Sequence, residues 1–309
     1  MPNRTALFNR TQPGGVFTVQ DMLDHPGDIW FVDSGAANGA DSVGAGRNPD
    51  IPFLTLDYAI GQCTANNGDT ILVMPGHTED LDADSAVDVD VAGLKIIGLG
   101  DGAARPTFDA SAAAGDFKLA AASIVIINLL FTSGVDATTG MLEISGADCQ
   151  VLGCEFRDVT GQATDCILTV NGSDRLLIAD CRFNMAAGAG ANSAIALDGS
   201  DDVEIRDCSI YGNFAVGAID LRTTLSARVW LHRLKIWTAN AADIAVVDTI
   251  TSSTGQIGPD ITIMLTDNAA NITTAITGAT FHLMDPVYVC NLVNEKGMLI
   301  NWTASVDEA

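Results

Sequence analysis

The chain has 309 residues, of which 48% are hydrophobic, 6% aromatic and 17% charged. Its 39 acidic residues outnumber its 15 basic ones, which gives a formal net charge of −24. A surface of this charge repels nucleic acid and anionic membranes, so we expect neither as a partner.

The first segment, residues 1–28, mixes Pro, Gly and Asn with basic and apolar residues and shows no period. It lacks the basic start and apolar core of a secretory signal, and the odd number of cysteines, 7, agrees with a reducing cytoplasm. We interpret it as an extended arm; the alternative is an ordinary terminus without a role. The residues best suited to anchor such an arm to a partner are Arg4, Leu7, Phe8, Arg10 and Phe17.

Residues 29–90 are predicted to contain a cap and the first coils of a repeat structure. DIWFVDSG at 28–35 predicts a strand, and a Gly-rich loop follows it. Thr55 is suited to N-cap a short helix whose apolar face carries Leu56, Ala59, Ile60 and Cys63. TILVMPG at 70–76 predicts a buried strand. An amphipathic helix leading into a strand is suited to cover the open end of a stack of strands.

The motif P-F-x-T-L-x-x-A-I at 52–60, followed by G-D-T-I-L-V-x-P-G at 68–76, resembles the N-terminal cap and first coil of the pectate-lyase-like right-handed β-helix family. The longer stretch at 28–80 is similar to a subgroup found among structural proteins of tailed bacteriophages. The resemblance implies an all-β, right-handed parallel β-helix. It does not select a function, because the fold includes polysaccharide lyases, hydrolases, phage tailspikes and virion proteins without enzymatic activity.

The acidic run at 79–93 allows two interpretations. Carboxylates at Asp80, Asp82, Asp84 and Asp88 could bind calcium, although the run lacks EF-hand spacing. The favoured interpretation is a solvated edge strand whose inward residues are Val87, Val89 and Val91.

Residues 91–250 contain a repeat of about 25–27 residues, each unit being a short alternating strand, a polar turn and a second strand. This period without helical patterning predicts coils of a parallel β-helix, in which equivalent residues stack about 4.8 Å apart. The anchor residues of successive units are Leu99, Leu129, Cys154, Cys181, Cys208 and Leu234. Apolar residues three positions before these anchors are Ile96, Ile126, Val151, Ile178, Ile205 and Leu231. Apolar residues two positions after them are Phe131, Phe156, Phe183, Ile210 and Ile236.

The three cysteines in this column could be disulfide partners, metal ligands, a nucleophile or filler of an apolar core. A column of three leaves one cysteine unpaired, and no C-x-x-C or neighbouring histidine completes a metal site. We interpret the column as an interior ladder of small apolar side chains, and we expect no metal.

Two outward carboxylates, Asp180 and Asp207, precede the anchors of adjacent coils, with Arg182 and Arg206 nearby. A stacked pair about 5 Å apart resembles the spacing of a retaining glycosidase. The favoured interpretation is an ordinary charged face. The chain has no Walker loop, dinucleotide fingerprint or G-x-S-x-G element, so we expect no cofactor and no enzymatic activity.

Residues 251–309 lose the repeat pattern and contain alternating strands at 260–266, 280–284, 286–293 and 297–302. They are expected to form a small β element that either caps the last coil or mediates oligomerisation.

The leading functional hypothesis is a virion structural protein made in the host cytoplasm, and specifically a capsid decoration (cement) protein. Its expected partner is the major capsid protein or another virion protein, and a homo-oligomer, such as a trimer, would suit a symmetric shell. The alternative is a tailspike-type protein that binds or cleaves glycans. A non-viral adhesin is disfavoured by the missing signal sequence.

Overall fold

The protein, seen in a computed structural model, is almost entirely β-structure arranged as a parallel β-helix. The structure describes residues 27–135, 140–158, 164–185, 191–239, 244–265, 275–277, 280–284, 286–291 and 296–298. The predicted anchoring residues Arg4, Leu7, Phe8, Arg10 and Phe17 lie outside these ranges.

Within the described ranges, three sheets run along the solenoid, and the first contains ten strands. Each of these strands pairs in parallel with the strand one coil later. In spatial order, the strands of sheet 1 are β1 Ile29–Val32, β2 Thr70–Val73, β5 Lys95–Gly98, β8 Val125–Ile127, β11 Gln150–Leu152, β14 Leu177–Ala179, β17 Glu204–Arg206, β20 Val229–His232, β23 Gly255–Ile257 and β26 Phe281–Leu283.

Among the residues that the structure describes, the other two sheets contain eight and ten strands. Sheet 2 consists of β4 Val87–Val89, β7 Phe117–Leu119, β10 Leu142–Ile144, β13 Asp165–Thr169, β16 Ser193–Leu197, β19 Ile219–Leu221, β22 Val246–Asp248 and β25 Ile276–Thr277. Sheet 3 consists of β3 Thr78–Leu81, β6 Thr107–Ala110, β9 Leu130–Ser133, β12 Glu155–Asp158, β15 Arg182–Asn184, β18 Ser209–Gly212, β21 Lys235–Thr238, β24 Ile261–Leu265, β27 Val287–Asn291 and β28 Lys296–Met298.

The predicted repeat register is confirmed by the strand pairing. Val151 is paired with Ile126 on one side and Ile178 on the other, and the same inward column continues to Ile205 and Leu231. The residues of this column are fully buried. Alternation with a period of two residues therefore directs every second side chain into one continuous core.

The inward column of sheet 3 is aromatic in its first half. The rings of Phe131 and Phe156 stack at 5.0 Å, and those of Phe156 and Phe183 stack at 4.8 Å with an interplanar angle of only 5°. Their separation matches the inter-strand spacing, so identical residues in successive coils pack face to face. Ile210 and Ile236 continue the column as buried aliphatic side chains.

The predicted cap helix forms at Leu56–Ile60 and is labelled α1. Thr55 caps it by accepting a hydrogen bond from the Tyr58 amide, as the sequence predicts. The helix is attached to the first coil by Glu79, which accepts hydrogen bonds from the Leu56 amide at 3.0 Å and from buried His77 Nε2 at 3.1 Å. His77 Nδ1 accepts from the Ser34 amide, so Nε2 carries the proton.

Leu99 departs from the predicted interior ladder because it is only half-buried, whereas Leu129 and Leu234 are fully buried. In the next five coils two residues, such as Gly153 and Cys154, connect sheet 1 to sheet 3. After Leu99 a longer loop with a 3-10 turn at Gly102–Ala104 precedes β6. Leu99 therefore begins a loop instead of filling a tight turn.

The solenoid does not end near residue 250, where the repeat pattern was expected to fade. Strands β23, β24 and β25 pair in parallel with the preceding coil, and β26 and β27 add a further layer. Ile261 and Val287 are buried and extend the anchor column. The expected C-terminal strands thus belong largely to the solenoid, and β28 then pairs antiparallel with β27.

We predict that Phe156→Ala lowers the free energy of unfolding by about 3–5 kcal/mol, because it opens a cavity between two stacked rings. Urea denaturation followed by circular dichroism measures this loss. Leu225→Ala is the control; Leu225 is 47% exposed, so its removal should change stability by no more than about 0.5 kcal/mol. Equal losses in both variants would contradict the stacked core.

Candidate functional site

The candidate catalytic carboxylates Asp180 and Asp207 lie at one turn position of adjacent coils, between sheets 1 and 3. Both have left-handed backbones, with φ of 58° and 57°. Asn128, Gly153 and Arg233 occupy the same position in other coils, with φ between 52° and 60°. Asp, Asn and Gly tolerate this conformation best, so the turn favours these residue types, although Arg233 also adopts it.

The Asp207 carboxylate is occupied by two arginines. Arg233 donates Nε to Oδ1 at 2.7 Å and Nη2 to Oδ2 at 2.8 Å, and Arg206 donates Nη1 to Oδ2 at 2.8 Å. The hydrogen bonds from Arg233 hold the pKa of Asp207 well below its usual range. Asp207 therefore remains ionised and hydrogen-bonded to the two arginines, which suits neither a proton donor nor a free nucleophile.

A second column of left-handed turns lies at the opposite edge of sheet 1. Arg175 donates to Asp148 through Nε at 2.6 Å and Nη2 at 2.8 Å. Two coils further on, Arg228 donates to Asp202 through Nε at 2.5 Å and Nη2 at 2.8 Å. All four residues have positive φ. Pairing of stacked aspartates and arginines is thus a recurrent surface feature of this solenoid, independent of any catalytic pair.

A groove of about 490 Å³ lies on the outward face of sheet 3. It crosses three consecutive strands, because alternate residues of each strand point outward. The lining residues are Glu155, Arg157, Arg182, Asn184, Ser209 and Tyr211. Glu155 is held by Arg105 Nη1 at 2.8 Å and by Arg157 Nε at 2.6 Å, so this end of the groove is fixed by ion pairs.

The other end of the groove is aromatic. Tyr211 is paired with Trp237 on the next coil, and their rings meet edge to face at 5.8 Å. Trp237 is 46% exposed, and the neighbouring Arg182 and Lys235 are also exposed. Exposed aromatic rings beside cations can bind sugars, anions or another protein surface. This groove was not predicted from the sequence.

Two buried carboxylates that the sequence did not single out meet Arg222. Arg222 Nη2 donates to Asp165, and its Nη1 lies 3.7 Å from Asp220 Oδ2. Asp165 is 0% exposed and Asp220 1%, and burial raises the pKa of Asp165 to about 6 despite the attraction of Arg222. Burial also raises the pKa of Asp220. Because both carboxylates are enclosed, neither offers an oxygen to a substrate from solution.

The acidic run at 79–93 contains two strands, β3 and β4. Val87 and Val89 are buried as predicted, whereas Val91 is only partly buried. Within the described ranges, no three His, Cys, Asp or Glu side chains gather in a metal-ligating group.

The ladder cysteines Cys154, Cys181 and Cys208 are buried, at most 2% exposed, and unpaired. Burial raises the pKa of Cys154 to about 12 and also raises that of Cys181. An enclosed thiol is a poor nucleophile, so these cysteines act as core packing residues.

Comparison with known proteins adds no relative. No protein-family model matches the chain, and neither the curated proteins nor the solved structures contain a match. The parallel β-helix follows from the strand pairing, whereas the pectate-lyase-like and bacteriophage resemblances depend on the motifs alone. None of the helices that the described ranges contain is long and apolar enough to span a membrane.

We predict that Asp207→Ala is about 1 kcal/mol less stable than Asp207→Gly, because alanine, unlike glycine, is strained in a left-handed turn. Both variants lose the arginine pairs, so their difference isolates the backbone conformation. Thermal and urea unfolding of the two variants provide the measurement. Equal stability would show that the turn is not left-handed.

We predict that the protein gains about 1 kcal/mol of stability from Asp165 between about pH 7 and pH 5. The folded-state pKa is raised to about 6 while the unfolded value is near 3.9, so the folded state binds the proton more tightly and is stabilised as the pH falls. Urea unfolding of the wild type and Asp165→Asn at both pH values tests this. Asp165→Asn should lack this gain in the free energy of unfolding at the lower pH. An identical pH dependence of stability in the wild type and the variant would contradict the prediction.

Proposed function

We propose that this protein is a non-enzymatic structural component of a virion, and specifically a capsid decoration protein that binds and stabilises the head shell. The sequence resemblance at 28–80 supports a bacteriophage origin. A rigid solenoid with an acidic coat suits a decoration role, because it resists deformation and remains soluble at high concentration. Its partner would be the major capsid protein or another virion protein, and it would be made in the host cytoplasm.

The observation that carries the non-enzymatic proposal is the state of Asp207. The glycosidase interpretation requires Asp180 and Asp207 to share acid and nucleophile roles, which calls for one raised pKa and one free carboxylate. Asp207 instead has a lowered pKa and both oxygens bound by arginines. The pair therefore belongs to the turn structure of the solenoid.

The surface that would contact the shell is proposed to be the N-terminal arm, residues 1–28. Residues 1–20 of the arm carry Arg4 and Arg10 and no carboxylate. This stretch contrasts with the acidic body, so it could bind a surface that the body would not. Arg4, Leu7, Phe8, Arg10 and Phe17 remain the predicted anchors.

We predict that the full chain co-sediments with undecorated capsids and saturates at a fixed ratio to capsid subunits, whereas a chain lacking residues 1–28 does not. The matched control is the full chain with Trp237→Ala, which alters the sheet 3 groove and should bind normally. Failure of the full chain to bind at any concentration would refute the decoration role. Binding that survives truncation would refute the arm as the anchor.

A second candidate function, glycan binding, is favoured by one observation: the exposed Trp237 ring meets Tyr211 at the end of the groove on sheet 3. Sugar rings bind aromatic faces while Arg182, Asn184 and Ser209 supply hydrogen-bonding groups. This site is distinct from the Asp180 and Asp207 turn column.

Binding of the protein to an array of neutral and acidic polysaccharides tests this alternative. If glycan binding is the function, Trp237→Ala should weaken it at least about 10-fold, as expected for loss of an aromatic contact worth 1–3 kcal/mol. Asp207→Asn is the control and should leave binding unchanged. No binding to any polysaccharide would eliminate the candidate.

A further inference from the structure

The outward face of sheet 1 is apolar over its first six strands, β1, β2, β5, β8, β11 and β14. The strand register identifies twelve outward positions on these strands, and nine of them are apolar. The nine are Ile29, Phe31, Leu72, Ile97, Val125, Ile127, Leu152, Leu177 and Ala179. The remaining three are Thr70, Lys95 and Gln150.

Apart from Ala179, which is 0% exposed, these side chains do not belong to the core. Their inward neighbours, such as Ile126 and Val151, are 0% exposed, whereas Ile127, Leu152 and Leu177 are only partly buried and Ile29 is 36% exposed. Parallel strands that are apolar on both faces are normally covered on both sides. The core covers one face of sheet 1, and the other face requires a partner.

The same face carries no carboxylate over these six strands, although the chain has 39 acidic residues. The equivalent outward positions of the other sheets include Asp80 and Asp109 on sheet 3 and Asp88 and Glu143 on sheet 2. At the polar end of sheet 1, Glu204 is paired with His232 Nε2 at 2.9 Å and Arg206 Nε at 3.2 Å. The face is therefore close to neutral.

Neutrality matters most when the partner has the same charge. Two molecules that each carry a net charge of −24 repel one another, so association is opposed least where the contacting surfaces carry no unpaired carboxylate. Sheet 1 presents such a surface, and an apolar face is complementary to a second copy of itself in an isologous contact.

The area of the face is also sufficient. Ten strands spaced ~4.8 Å apart span ~43 Å, and three strand residues with two flanking turns span ~16 Å. The whole ten-strand face thus covers ~700 Å², close to the ~800 Å² that each partner buries in a standard stable interface, and its six apolar strands supply ~400 Å² of that area.

We propose that the outward face of sheet 1 is the surface through which copies of this chain associate, with Ile97, Ile127 and Leu152 at its apolar centre. The occupant of the face is a second copy of the same chain, and the Asp–Arg turn columns border the contact on both sides. This proposal does not depend on the virion role.

Sedimentation velocity of the full chain over about 1–100 μM tests the proposal. The wild type should form an oligomer, and Ile127→Glu/Leu152→Glu should raise the dissociation constant at least about 100-fold by placing charges in the contact. Leu168→Glu is the matched control: Leu168 is a half-buried outward residue of β13 on sheet 2, and its replacement should leave the oligomer intact.

Circular dichroism of each variant checks the fold. If the double variant does not fold, Gln150→Glu tests the proposal instead, because it replaces a residue of the face that is already polar. This variant should weaken association about 10-fold, and high salt should restore part of the association. A wild type that stays monomeric throughout the concentration range would overturn the proposal. An oligomer that Gln150→Glu and the double variant leave unchanged would also overturn it.

Discussion

The structure depends on one constraint, the stacking of equivalent residues on successive parallel coils. Each coil lies one inter-strand spacing from the next, so a side chain at any position must pack against the residues directly above and below it. Phe156 illustrates this, because its ring lies between those of Phe131 and Phe183 at 5.0 and 4.8 Å. The ends of such a stack cannot cover themselves, which explains why helix α1 is attached to the first coil through Glu79 and His77.

The same stacking governs the turns. A left-handed residue recurs at each edge of sheet 1, and the fold places it next to its equivalent on the adjacent coil. Where one coil has Asp207 and the next has Arg233, an ion pair forms without any functional requirement. A stacked pair of carboxylates on a parallel β-helix is therefore weak evidence for catalysis until its hydrogen bonds and pKa values are known.

The inward side chains form the core. The side chains that can bind a partner, and so distinguish this protein from other solenoids, therefore lie on the outward faces. Sheet 1 is apolar and nearly neutral, and sheet 3 carries a groove lined by ion pairs and an aromatic pair. Near sheet 2, Asp165 and Asp220 are buried beside Arg222, a partly compensated cluster that costs stability at neutral pH. Self-association through sheet 1 would leave the groove on sheet 3 accessible, so the two faces can serve different partners.

The sequence by itself determined the parallel β-helix, the register of its core and the cap. Alternation within each strand and the spacing of Ile126, Val151 and Ile178 are local signals, and Thr55 precedes the helix that it caps. The repeat pattern did not predict the last coils, because the distance in sequence from the inward residue to the anchor changes there. It is three residues from Leu231 to Leu234 but four residues from Ile257 to Ile261.

Only the tertiary structure decided which charged residues form ion pairs and which surfaces remain exposed. Arg222 and Asp165 are 57 residues apart in the chain, and neither has a local pattern that predicts their contact. The groove is formed by residues from three coils, and the apolar face of sheet 1 by residues from six. Periodicity encodes which residues stack, but the rotamers and loop lengths that bring side chains of different coils together depend on the folded solenoid as a whole.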